Sequence, residues 1–184
     1  AACDYKTGNA GADALERIKL LMNENKIDLS ERRVVAPALE KAESSGSAAV
    51  ALELENGAFV TGKSNKLMSA CSSAVLNAVK ALSNIDDEML LLSPIILAPI
   101  IRLKKEVLGE DKVKLSLGDV LTALSICAAT NPIAEKALDM LVSLRGCEAH
   151  ASCILPESDM SVVRKLGINL TCEPEFGSKD LYGF

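Results

Sequence analysis

The chain has no tryptophan, and aromatic residues make up only 3% of it. Its core must therefore be built from Ala, Leu, Val and Ile. A surface on which nucleic-acid bases stack is excluded. Basic residues are not in excess either: 20 Lys and Arg stand against 25 Asp and Glu, a net charge of −5, so the electrostatic footprint of a nucleic-acid binder is missing. There is a single histidine, His150. None of the six cysteines (Cys3, Cys71, Cys127, Cys147, Cys153, Cys172) lies in a C-x-x-C pair. The longest apolar run, Met89 to Ile101, is too short to span a bilayer and is broken by Pro94 and Pro99. No secretory leader is recognisable, so the cysteines are expected to be reduced thiols and the protein cytoplasmic. The chain opens on Ala1-Ala2-Cys3-Asp4 without a methionine, which reads as the interior of a longer protein.

What is present is an ordinary globular balance of 49% hydrophobic and 24% charged residues over 184 positions, enough for one domain with a small appendage. Ala14, Leu15, Ile18, Leu21 and Met22 fall on one helical face, predicting a helix over 10–25 with Asn9 as its N-cap. Residues 1–30 are expected to be a helical segment ending a preceding subdomain, and 31–184 an α/β domain. Pro37 fits a first helical turn that Ser44 to Ser47 ends. Val50, Leu52 and Leu54 alternate, Asn56-Gly57 follows, and Ala58 to Thr61 resumes; this predicts a hairpin closed by a type I′ turn. A helix rich in small residues runs over 67–82, small enough to lie close on a sheet. Met89 to Leu92 reads as a buried strand. Helices are expected over 94–108, 117–129 and 132–144. Residues 112–115 read as a short strand or loop, 147–155 as a strand, 156–166 as a helix capped by Gly167, and 168–172 as the last strand. The tail from Glu175 is expected to be irregular. The order predicts an α/β three-layer sandwich: a mixed sheet that starts with a hairpin and carries helices on both faces.

That order resembles cytidine deaminase-like domains, and so do some local residues. Thr61-Gly62 ends the hairpin, Ser69-Ala70-Cys71 opens the next helix, and Ser93-Pro94-Ile95-Ile96-Leu97-Ala98 opens the one after. The resemblance implies a cytidine deaminase-like fold. It aligns Ser69 with the first zinc ligand, Cys71 with the proton-shuttling Glu, and Ile95 and Ala98 with the paired cysteines. Isoleucine and alanine cannot hold zinc, so no metal and no cofactor are expected.

Among residues able to carry chemistry, Glu148 and His150 fall on one side of a strand, with Arg145 at its entrance. A carboxylate beside a histidine orients it and tunes its basicity, which suits a general base; the same trio also suits a purely structural cluster. Gly62-Lys63-Ser64-Asn65 lacks the upstream glycine of a nucleotide-binding P-loop, yet Lys63 and Ser64 remain candidates to contact an anion near a helix N-terminus. Cys71, near a helix start, is a candidate low-pKa thiol or a buried small residue. Asn131, in Thr130-Asn131-Pro132, is either a helix cap or a polar pocket wall. No nucleophile elbow or triad spacing is present.

Long stretches carry a second resemblance. Val34-Val35-Ala36-Pro37-Ala38, Thr61-Gly62-Lys63, Ser93-Pro94, Ala128-Ala129-Thr130-Asn131-Pro132, the run Arg145 to His150 and the run Lys165 to Pro174 are similar to the C-terminal part of the uncharacterised UPF0371 (DUF1846) family. This implies a cytosolic bacterial protein of unknown activity. Its longer members carry an N-terminal α/β region with a glycine-rich, nucleotide-binding-like segment. Three functions follow as expectations. The chain is a C-terminal domain completing a small-molecule or nucleotide site with that N-terminal region; or a structural or oligomerisation domain on a degenerate deaminase-like fold; or a self-sufficient enzyme using Glu148, His150 and Lys63. The expected partners are the N-terminal region and further copies of the chain, with neither nucleic acid nor membrane.

Overall fold

The computed structural model describes residues 1–28 and 31–177; 29–30 and most of the tail expected to be irregular from Glu175 onward lie outside the described residues. Four strands form one open mixed sheet in the order β2-β1-β3-β4. Strands β1 (Ala49–Glu53) and β2 (Phe59–Lys63) make the expected antiparallel hairpin, pairing Leu52 with Val60 and Ala49 with Lys63. The turn differs from expectation. Leu54 N–H bonds the Ala58 carbonyl at 2.9 Å, and Gly57 N–H bonds the Leu54 carbonyl at 2.8 Å, leaving a three-residue loop. Only Gly57 takes a positive φ, +78°, whereas a type I′ turn also needs one at Asn56. The Asn56 side chain instead accepts from Ala58 N–H at 3.0 Å.

Alternation along β1 sorts the two faces. Val50 and Leu52 join the main core with Cys71, Ala74, Val75 and Ala78 of α4 (Ala70–Ser83). Ala51 points the other way, onto Val34 and onto Ala38 of α3 (Val35–Ser45). Helices thus cover both faces. Gly62 explains the small residues of α4: a Cβ on it would lie 2.1 Å from Ala74 N and 2.5 Å from Ala74 Cα, so only glycine lets β2 meet the helix backbone. Ser69 caps α4, its hydroxyl accepting from Ser72 N–H at 3.1 Å.

Met89 to Leu92 is not a strand. Leu91 and Leu92 are buried while Leu90 is 75% exposed, so the run anchors itself by side chains rather than by a backbone ladder. The free edge of β1 belongs to β3 instead, and Pro94 turns the chain at once into α5 (Pro94–Arg102). A short apolar run has no periodicity with which to separate these outcomes. Helix α5 carries Pro99 inside it and continues as a π-helical turn, Leu103–Val107. Residues 112–115 are a loop, tied to the segment ahead of α4 by an isolated bridge, Met68 to Leu115, and to the end of β2 by Lys114 on Ser64. Helix α6 (Leu117–Ala128) begins with a capping box of Ser116 and Asp119. Helix α7 (Pro132–Asp139) is shorter than expected and tightens into a 3₁₀ turn, Met140–Leu144.

Strand β3 (Glu148–Ala151) pairs antiparallel with β1 and parallel with β4 (Asn169–Cys172), and α8 (Glu157–Leu166) connects β3 to β4. Gly167, at φ +75°, ends α8 as expected. At the other end of the chain, α1 (Ala2–Lys6) touches the domain through Cys3 Sγ on the Cys172 carbonyl and Lys6 on Glu175. Helix α2 (Ala12–Glu24) buries none of its residues. Among the described residues no helix is long and apolar enough to cross a membrane.

Candidate functional site

Two neighbouring strands and one loop build the environment of the only histidine. In the parallel register of β3 and β4, Glu148 stands beside Asn169 and His150 beside Thr171. Asn169 donates from Nδ2 to Glu148 Oε1 at 2.9 Å. Arg32, just ahead of α3, reaches across the sheet face. Its guanidinium donates to the Glu148 carboxylate, to the Thr171 hydroxyl and to the Asn169 carbonyl, the last at 3.2 Å. His150 is only 4% exposed, with Nδ1 2.8 Å from Thr171 Oγ1 and Nε2 3.2 Å from Glu173 Oε1.

These contacts set a direction. The Glu173 carboxylate can only accept, so the ring proton sits on Nε2 and is donated to it. In the neutral imidazole Nδ1 is then the acceptor, and the Thr171 hydroxyl, which accepts from Arg32, donates to it. Burial pushes the His150 pKa down; the Glu173 carboxylate pulls it up, and the Arg32 charge pushes it down again, with a lowered value as the net result. A neutral imidazole with both nitrogens engaged has no lone pair or proton to offer a substrate.

Glu148 and His150 do share one face of β3, as the strand period requires, and are linked through Arg32 and Thr171. Arg145 does not join them. It is exposed, and its side chain lies over Gly167, where a Cβ would meet Arg145 Cγ at 3.0 Å. Arg145 lines an open cavity of about 670 Å³ together with Arg33, Glu53, Glu55 and Glu148. Asn131 is the N-cap of α7, accepting from Ile133 N–H at 3.0 Å and Ala134 N–H at 3.4 Å, so it is a cap and not a pocket wall. Cys71 is 2% exposed and burial raises its pKa, contrary to an activated thiol: at the second position of α4 the helix amides do not outweigh an apolar core. The Cys172 thiol is likewise pushed up to about 11 by burial.

Ser69 is occupied as a cap, and Ile95 projects outward at 81% exposure. Among the described residues no three His, Cys, Asp or Glu side chains converge as a metal site.

Lys63 and Ser64 part company at the end of β2. Ser64 accepts from Lys114 Nζ at 2.7 Å and lines a cavity of about 820 Å³ beside α8. Lys63 lines a different cleft, of about 460 Å³, at the outer edge of the sheet. Lys41 of α3 and Lys80 of α4 line that cleft too. Sequence reasoning missed Arg32, Thr171 and Glu173, as well as Lys41 and Lys80. For Thr171 and Glu173 a signal existed: they lie two apart, on β4 and just past its end, and the parallel pairing of β4 with β3 puts them beside the histidine. For the others only the packing of α3 and α4 on the two faces brings distant lysines and an arginine together.

A family model described as "Domain of unknown function DUF1846, C-terminal" matches residues 30–182. A UPF0371 protein of Clostridioides difficile is 47% identical over 189 residues, covering 98% of this chain and 38% of its own length. UPF0371 proteins of the Langeland and Okra strains of Clostridium botulinum are 46% identical with the same coverage. The chain spans well under half the length of the curated relatives it matches.

Proposed function

The chain belongs to the DUF1846 C-terminal domain family, and from that premise we propose that it acts as the C-terminal domain of a longer UPF0371-type protein, completing a small-molecule or nucleotide site with the rest of it. One observation carries the part of this reading that joins the domain to the rest of a longer protein. Helix α2 buries nothing, yet Ile18, Leu20 and Leu21 on it, and Ile27 just beyond it, are 41%, 61%, 55% and 52% exposed. A helix with that much apolar surface is stable in water only when something covers it. In relatives of which this chain is 38%, the remaining chain is the natural cover. Residues 1–30 then belong to the junction and 31–177 to the domain proper. Hydrogen exchange tests the reading: α2 amides should exchange freely in the 184-residue chain and be strongly protected in the longer protein. Equal exchange in both would overturn it.

A second reading is favoured by the sealed state of His150. In it the domain is non-catalytic and shapes or oligomerises the longer protein on a degenerate deaminase-like frame. The hairpin, the close approach of Gly62 to α4 and the helix begun by Pro94 support that frame. With Ile95 turned to solvent and Ala98 beside it, that frame offers no zinc chemistry. Either way, the Arg32–Thr171–His150–Glu173 chain ties β3, β4 and the start of α3 together and is assigned a structural role.

A further inference from the structure

The cleft at the outer edge of β2 is walled by elements from both faces of the sheet, because β2 is the edge strand: α3 supplies Lys41, β2 supplies Lys63 and α4 supplies Lys80. No Asp or Glu is among the residues lining it. None of the three lysines makes an ion pair with a described residue. Lys80 is the informative one. It is only 9% exposed, and its Nζ donates to the Asp87 carbonyl at 2.6 Å, a neutral acceptor. Its ammonium meets a carbonyl rather than a carboxylate, so that contact leaves its charge unneutralised. The carboxylates of Asp86, Asp87 and Glu88 sit on the adjoining exposed turn, outside the lining.

The floor is of a different kind. Leu76, Leu91, Leu92 and Leu97 are buried and apolar, and Ser73 Oγ is a buried hydroxyl without a partner that also lines the cleft. A volume of about 460 Å³ falls in the range of small-molecule sites. This also gives Met89 to Leu92 a role: the run that does not become a strand becomes one wall of the cleft.

We propose that this cleft binds a small organic anion, a phosphate or carboxylate carried on an apolar body, with the anionic group among Lys41, Lys63 and Lys80 and the body on the leucine floor. The three lysines select charge, and the leucines reject a bare inorganic ion, which would leave them hydrated. Ser73 adds one hydrogen bond to the ligand. The inference rests on the reading above that the domain contributes to a small-molecule site, and it names the ligand class for that site.

The test is calorimetric titration with four probes: phenyl phosphate, benzoate, inorganic phosphate and neutral benzyl alcohol. Phenyl phosphate or benzoate should bind at least about tenfold more tightly than both inorganic phosphate and benzyl alcohol. The surface variant Lys41→Ala/Lys63→Ala should weaken that binding about tenfold while leaving the melting temperature unchanged. Lys80→Met should weaken it further and, by keeping an apolar stem of similar length in the same packing, should not lower the melting temperature. Equal binding by the double variant, benzyl alcohol binding as well as the anions, or no binding to either the chain or the longer protein would each overturn the assignment. The same titration on the longer protein separates this from the domain-completion reading. Tighter binding there supports both. Equal affinity in both proteins keeps the cleft assignment and removes the need for a completing region.

Discussion

Replacing His150 with alanine is the sharpest test of the structural assignment, because this chain has no other histidine. The substitution deletes the contacts to Thr171 at 2.8 Å and to Glu173 at 3.2 Å. Each such hydrogen bond is worth about 1 kcal/mol net. Thr171 is exposed and the Glu173 side chain is a third exposed, so both recover water, and neither is left as a buried orphan. The void left by a ring that was 4% exposed adds to the cost. The total is about 2–3 kcal/mol, or roughly 4–12 °C in melting temperature for a chain of this size. The pH dependence gives a second, independent readout. The folded pKa of His150 is lowered, chiefly by burial, so the unfolded chain takes up its proton first as pH falls. The stability that neutral His150 contributes is thus fully present above about 6.5, the ordinary histidine value, declines as pH falls below it, and is lost once pH passes below the folded pKa. Thermal melts of wild type between pH 7.5 and 5.5 should show this decline, and His150→Ala should flatten it. Carboxylates titrate mainly below this window. A flat wild-type profile, or an unchanged slope in the variant, would refute a histidine held neutral by its surroundings. A full-strength melt for the variant together with lost ligand binding would reassign the residue to function.

Gly62→Ala should cost about 3 kcal/mol, at the upper end of overpacking penalties, because the new methyl would meet the backbone of Ala74 rather than a movable side chain; urea unfolding measures it. Asn131→Ala should cost about 1 kcal/mol by removing the α7 cap, with no effect on anion binding in the β2-edge cleft, which Asn131 does not line. Arg32→Ala should destabilise by about 1–3 kcal/mol because it strips partners from Glu148 and Thr171 together, whereas Arg145→Ala should stay within about 0.5 kcal/mol; a reversal of that order in chemical denaturation would show that the cluster had been assigned to the wrong arginine.

Local pattern was enough for much of the secondary structure. Alternation of Val50, Leu52 and Leu54 beside an Asn-Gly turn specified the hairpin, and Gly167 specified the end of α8, because both depend on neighbours two to four residues away. The pairing of Glu148 with His150 on one strand face was legible for the same reason, since side chains two apart share a side. Tertiary structure decided what those residues do. Whether Met89 to Leu92 becomes a strand depends on which element claims the edge of β1, and β3 claims it from nearly sixty residues away. Arg32 rather than Arg145 completes the histidine cluster because α3 packs on the same face as Glu148, a fact that no spacing along the chain encodes. Lys41, Lys63 and Lys80 are unremarkable apart; they become one site only because the strand that ends at Lys63 is the sheet edge and a helix lies on either side of it. Short-range sterics and periodicity act through the sequence, whereas charge and burial act through distance in space, and that distance is set only once the layers have packed.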